Sequence, residues 1–434
     1  MILDHRFYYP AQFYERSAEV LNTALDATLL YQSWRAFDPG RNADINQRYA
    51  ALPTLTKDAI RAHFPDGLIP YGKDREAALE QELIEYTFTS GTTSERVINI
   101  WNQAWWNRCE AASWQLNKYT AALPYPVKMA ELASSLNVGI SCEEDLPLSH
   151  RIIGNKLYLN EKSNLIQWQK RHYQRMADEL ALYQPVVLEA NPSLLARLAY
   201  WALDHHVALY SPKVIIFTYE FSSKIHLRVI REVFDSALVS SFGSTETGFV
   251  MEECSAGLLH QNTDFCRIDF TPLKDIYGGP DLGRIRVTTF DNDWNVIVCF
   301  DTGDLIRLHH SGQCACGNHQ GMIAEAVEGR ITNVTFTTAN RLVTTYAVDQ
   351  QLACIPEIRD YHLEQHQPSQ YELQVMLTET SQAVLDRIQK TLQDLYGADG
   401  EYVIKAVSNI LPGPAGKFRR TQANFTFDEK ELFV

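Results

Sequence analysis

Two hydrophobic periods alternate along the first two-thirds of this chain. Val186-Val187-Leu188-Glu189-Ala190 and Val214-Ile215-Ile216-Phe217 are short β-branched apolar runs that predict buried strands. A helical pattern follows each, opening at Asn191 or Ser193 and running to about Asp204, then covering 223–234; a further strand is predicted over 237–240. Helices are also predicted over 168–183 and 103–118, the second carrying Trp105, Trp106, Trp114 and Leu116 as core or groove wall. Residues 52–60 predict a turn and a helix capped at Thr56. Strands alternating with helices imply an α/β fold with a mainly parallel sheet flanked by helices.

From about Ile268 the texture changes. Short β-rich runs (283–289 and 296–300) between Gly, Pro, Asp and Asn turns predict a small β subdomain. Beyond Arg330 a compact unit is expected: a strand over 373–377, an amphipathic helix over 382–396 with Leu385, Ile388, Leu392 and Leu395 on one face, and a strand over 402–406. The expected division is a large N-terminal domain, 1–331, and a small α+β C-terminal domain, 332–434.

Composition narrows the function classes. The 434 residues are 45% hydrophobic and 21% charged, as in ordinary globular proteins. A formal charge of −14 opposes non-specific binding to nucleic acid or an anionic membrane. No apolar run approaches the about 20 residues of a membrane span, and no secretory signal is read at the N-terminus. A cytoplasmic protein is expected, with its eight cysteines as thiols or metal ligands.

Four stretches could carry chemistry. Thr89-Ser90-Gly91-Thr92-Thr93 follows a predicted strand; Gly91 lets the backbone approach a phosphate while the hydroxyls donate to it. Its spacing fits neither the Walker nor the dinucleotide glycine pattern. Ser241-Phe242-Gly243-Ser244-Thr245-Glu246 offers a stacking ring, hydroxyls and a carboxylate for Mg²⁺. Asp304, in Asp301-Thr302-Gly303-Asp304-Leu305, could accept from ribose hydroxyls, and Lys417 stands on the glycine-rich loop 413–420. Taken singly, each also reads as a plain turn or a solvated basic patch.

Taken in order, the four resemble motifs of the adenylate-forming ligase superfamily. The resemblance covers 52–425 and is closest to the phenylacetate–CoA ligase-like branch, whose T-K-x-x-[I/L]-R segment stands here at Thr56 to Arg61. It implies ATP-dependent activation of a carboxylate as its adenylate, then transfer to a nucleophile. Coenzyme A (CoA) is the favoured acceptor, an amine or a carrier protein the alternative, and an aromatic acid the first expectation for substrate. By resemblance, Lys417 bridges the substrate carboxylate and the α-phosphate, Glu246 holds Mg²⁺, and Thr245 lies near the α-phosphate. Thr89, Ser90, Gly91, Thr92 and Thr93 hold the other phosphates. Glu220, Ser241, Phe242, Gly243 and Ser244 line the nucleotide, Asp304 and Arg330 grip the ribose, and the C-terminal domain rotates about a hinge near Arg330. A homodimer is compatible with this reading.

The chain departs from the pattern at three places. Ser94-Glu95-Arg96-Val97 lacks the phosphate-loop lysine, the hinge acid is Asn333, and Thr218-Tyr219-Glu220 replaces G-G-E, which predicts a reshaped acyl pocket. These departures leave a second class open, a weakened nucleotide-binding protein.

Cys314-Ala315-Cys316 and the pair Cys254 and His260 supply four soft ligands in two pairs, suited to a closed structural Zn²⁺ site. Cys266 or His319 could replace one ligand, and the branch often shows a similar set. The doublets His205-His206 and His309-His310 read as surface histidines.

Overall fold

The structure, a computed structural model, describes residues 5–88, 97–139, 141–164, 168–413 and 416–434. Its centre is one twelve-stranded mixed sheet. Ala237–Ser244, Val214–Phe217, Val187–Ala190, Met129–Leu132 and Lys156–Tyr158 run parallel in that order, and Ile152–Ile153 closes the edge antiparallel. On the other side of Ala237–Ser244 the sheet is antiparallel, through Gly248–Glu253, Leu259–Gln261, Ile323–Arg330, Phe300–Leu308, Leu282–Thr289 and Cys266–Pro272.

The β-rich part is therefore continuous with the parallel part. The joint is Ala237–Ser244, four residues longer than the expected strand, which pairs parallel with one neighbour and antiparallel with the other. Gly243 is required there: a Cβ on it would lie 2.1 Å from the Gly248 carbonyl oxygen across the turn. Residues 296–299 are buried but irregular, and the strand begins only at Phe300. The helix expected through Lys118 stops at Trp114, because the Asn117 side chain accepts from Tyr119 N–H and starts a separate turn.

Alternation sends Leu132, Leu188, Ala190, Ile215 and Phe217 to one face, against the helices Lys170–Tyr183, Pro192–His205 and Lys224–Val233. Val187, Val214, Ile216 and Val239 point to the other, against Trp114 of the helix Gln103–Trp114. The helix starts follow the sequence signals, with Thr56 accepting from Ala59 N–H and Asn191 from the N–H groups of Ser193 and Leu194.

After Ile331–Asn333 the chain builds a separate four-stranded sheet. Its order is Glu401–Ala406, Gln370–Leu377, Ile358–Gln367, Thr421–Ala423, with the helix Gln382–Tyr396 contributing Val384, Ile388 and Leu392 to its core. Leu385 and Leu395 sit less deeply than the expected face implied. This C-terminal unit is seated on the sheet's helices. Arg228 donates to the carbonyls of Ala353 (3.0 Å) and Ile358 (2.7 Å), and Arg359 makes two 2.7 Å bonds to Asp204. Among the described residues, no helix is long and apolar enough to cross a membrane.

Candidate active site

The site forms where the ends of the parallel strands meet the loop that returns from the C-terminal unit. Ser241 to Ser244 close their strand, a turn follows, and Glu246 is carried inward to 2% exposure. Among the described residues its Oε1 makes no hydrogen bond; its near neighbour is Lys57 Nζ at 3.4 Å. Lys57 opens the helix capped by Thr56, which sets where its side chain starts. Phe242 is half-buried and packs on the adjacent apolar core, leaving only part of its ring for stacking.

Asp304 and Arg330 are register partners on neighbouring strands, with Arg330 Nε 3.9 Å from Asp304 Oδ1 and its Nη2 donating to Thr302 O (3.1 Å). Burial pushes the Asp304 carboxyl up; Arg330, Thr302, Lys417 and Lys57 pull it back.

Lys417 reaches the same place from the far end of the chain. Gly416 lies at φ +71°, and a Cβ there would fall 2.4 Å from Ser134 Oγ, so only glycine lets the loop come this close to the strand end. Lys417 is exposed to solvent, but the protein around it withholds part of its hydration and lowers its pKa. Glu220 opposes that shift, Arg330 and Lys57 add to it, and Asp304 opposes it. Next to it, Phe418 N–H donates to Glu220 Oε1 (2.7 Å), and Ser193 Oγ donates to Glu220 Oε2 (2.8 Å). Ser193 accepts in turn from Arg420 Nη2 (2.9 Å), whose guanidinium is buried against Asp360 and His226.

The structure thus brings Glu246, Asp304, Arg330 and Lys417 together. Both Glu220 oxygens accept protein donors, one from the lysine loop and one from Ser193. The expected phosphate loop, Thr89 to Thr93, and Arg96 lie outside the described residues. Sequence reasoning gave no site role to Lys57, Ser193 or Arg420, which it read respectively as part of the Thr56 to Arg61 segment, a candidate helix start and the end of the loop 413–420.

Some 3.4–3.6 Å describes the second cluster. Cys254 Sγ lies 3.6 Å from Cys314 Sγ, and Cys316 Sγ lies 3.4 Å from His260 Nε2. All four ligand atoms fall within 4.8 Å of one another. A disulfide would need about 2.0 Å, whereas ligands 2.0–2.3 Å from a tetrahedral zinc stand roughly 3.4–3.8 Å apart. Backbone N–H groups of Ala256, Cys316 and Asn318 donate to the sulfurs of Cys254, Cys314 and Cys316, as suits thiolates. Cys266 donates to Val250 O and Asn262 O instead, and His319 is exposed, so neither joins the set.

No family model matches the sequence, and no curated protein matches it. Solved structures do. A 2-hydroxyisobutyryl-CoA ligase in the postadenylation state, in complex with R3-HIB-AMP, aligns over 98% of this chain and 92% of its own, at TM-score 0.72 and 14% identity. The same enzyme with 2-HIB-AMP and CoA in its thioesterification state aligns over 96% and 91%, at TM-score 0.56 and 16% identity. An anthranilate CoA ligase in complex with anthranoyl-AMP aligns over 86% and 73%, at 0.54 and 13%. At these identities the likeness shows the fold: this chain has the architecture of the adenylate-forming CoA ligases.

Proposed function

We propose that this protein activates a carboxylic acid with ATP and passes the acyl group to a thiol, CoA being the favoured acceptor. The observation that carries the reading is the convergence of Lys417, from the C-terminal loop, with Asp304, Arg330, Lys57 and Glu246. In the first step a carboxylate oxygen bonds to the α-phosphorus and pyrophosphate leaves. In the second a thiolate attacks the acyl carbon and AMP leaves.

Each side chain has a task in the first step. Lys417 sets its ammonium between the carboxylate and the α-phosphate, offsetting their repulsion and the charge that builds on phosphorus. Asp304, held by Arg330, accepts from the ribose hydroxyls. Lys57 places a second cation beside Glu246, where the sequence lacks the phosphate-loop lysine. Glu246 fits Mg²⁺: a buried carboxylate whose Oε1 meets Lys57 in an ion pair but makes no hydrogen bond is the hard donor that ion takes, and the ion would offset polyphosphate charge. The Cys254, His260, Cys314 and Cys316 set fits a closed, structural Zn²⁺ that ties the turn after Gly248–Glu253 to the segment before Ile323–Arg330.

We assign 1–331 and 332–434 as two domains, with Ile331–Asn333 as the pivot on which the second withdraws Lys417. CoA is the acceptor this reading favours, with an amine or a carrier protein as the alternative. Acid-dependent ATP–pyrophosphate exchange that Lys417→Ala abolishes is the test.

A further inference from the structure

The layer between the parallel strands and the helix Gln103–Trp114 changes character along its length. Toward the start of the strands it is apolar, packed by Trp114, Met129, Val187, Val214 and Val239. Two residues further on, the same face presents Glu131 and Glu189, directly opposite one another in register. One turn back along the helix from Trp114 stands Glu110, and Glu252 pairs across from Ser241, two residues beyond Val239. All four carboxylates are buried: Glu131, Glu189, Glu110 and Glu252 are 3%, 7%, 8% and 0% exposed.

The donors here are too few. Lys156 Nζ lies 3.0 Å from both Glu131 and Glu189; Tyr219 donates to Glu131 and Tyr125 to Glu110 (2.7 Å). Among the described residues Glu252 receives least: neither oxygen has a well-formed hydrogen bond, and the Ser241 hydroxyl, its register partner across the strand pair, is the one donor that favours its charged form. A buried carboxyl group without a partner costs stability unless something else satisfies it. The layer borders the site already described, since Tyr219 precedes Glu220 and Ser241 precedes Phe242. Tyr219 is held at φ 75°, a strained setting for a tyrosine, which turns its hydroxyl onto Glu131.

We infer that the acid activated by this protein carries a cationic nitrogen, received in this layer by Glu252 with Glu110. The inference rests on the ligase reading above and replaces the aromatic acid expected by resemblance. A divalent metal fits less well, because these carboxylates do not converge within metal-binding distance as the cysteine and histidine cluster does. An alkyl ammonium supplies three donors to such carboxylates. Without it, burial pushes Glu252 up to about 8 and Glu110 up to about 7, each reinforced by neighbouring carboxylates. A bound ammonium draws both back toward the charged form, so binding releases protons near neutral pH.

The test is ATP–pyrophosphate exchange by the full-length protein with acids in pairs of one skeleton. One member bears an alkyl ammonium, the other a hydroxyl or methyl in its place. The ammonium member should exchange about tenfold faster or better in at least one pair, and Glu252→Gln should erase most of that preference. Neutral members that match or exceed their ammonium partners would overturn the inference and leave the ligase reading standing. Silence with every acid, in protein that still binds ATP, would overturn the ligase reading and this inference with it.

Discussion

The carboxylate of Glu220 accepts the backbone N–H of Phe418 at 2.7 Å, one residue beyond Lys417. The bond ties the loop of Lys417 to the end of a parallel strand, and Ser193 and Arg420 continue it into the C-terminal sheet. In the proposed mechanism this contact holds Lys417 in the site and would break as the loop withdraws.

Glu220→Gln should slow acyl-adenylate formation by about ten- to a hundredfold, the worth of one charge-assisted hydrogen bond of roughly 1.5–3 kcal/mol. Thioester formation from supplied acyl adenylate should change far less. Single-turnover measurement of the two half-reactions separates them, and equal losses in both would refute a positioning role.

Lys57 stands 3.4 Å from Glu246, with its own side chain partly exposed. If it supplies the cation that the phosphate loop lacks, Lys57→Ala should raise KM for ATP·Mg by about tenfold and leave KM for the acid nearly unchanged. An unchanged ATP dependence would assign the pair to structure alone.

The cysteine and histidine cluster predicts a metal that holds structure together. Metal analysis of the purified protein should find about one zinc per chain. Cys314→Ser, or a strong chelator, should lower thermal stability first and activity through it. Full activity retained in metal-free, fully folded protein would contradict this.

His226 lies in the seam between the two units, against Arg420 and Asp360. Burial, with the Arg420 charge, lowers its pKa from 6.5 to about 4, against the pull of Asp360. The unfolded chain binds the proton in that window and the folded chain does not. Stability is therefore fully present above about pH 6.5 and falls as pH drops toward 4, by about 3 kcal/mol at most. His226→Gln keeps a donor and an acceptor but removes the titration, so its melting temperature should fall less steeply between pH 6.5 and 4.5. Parallel slopes for both proteins would show that His226 does not control the seam.

Local signals in the sequence located much of this. Asn191 and Thr56 cap helices where expected, Val214–Phe217 is a buried strand, and Cys254, His260, Cys314 and Cys316 meet in one cluster. Long-range pairing left no such trace. The continuity of the sheet rests on Ala237–Ser244 having different partners on its two edges, which its residues do not encode locally. Lys57 gains its meaning from Glu246, 189 positions away, and Glu220 from Phe418, 198 away. The acidic layer was hidden because single glutamates in apolar strands read as exceptions until register sets Glu131 beside Glu189.

The most direct test of the central claim is carboxylate-dependent ATP–pyrophosphate exchange by the intact protein and by Lys417→Ala. Exchange with a defined class of acid, reduced by orders of magnitude in a variant that keeps its fold and its ATP binding, is the result this account predicts. Exchange that survives the loss of Lys417, or none with any acid, would contradict it.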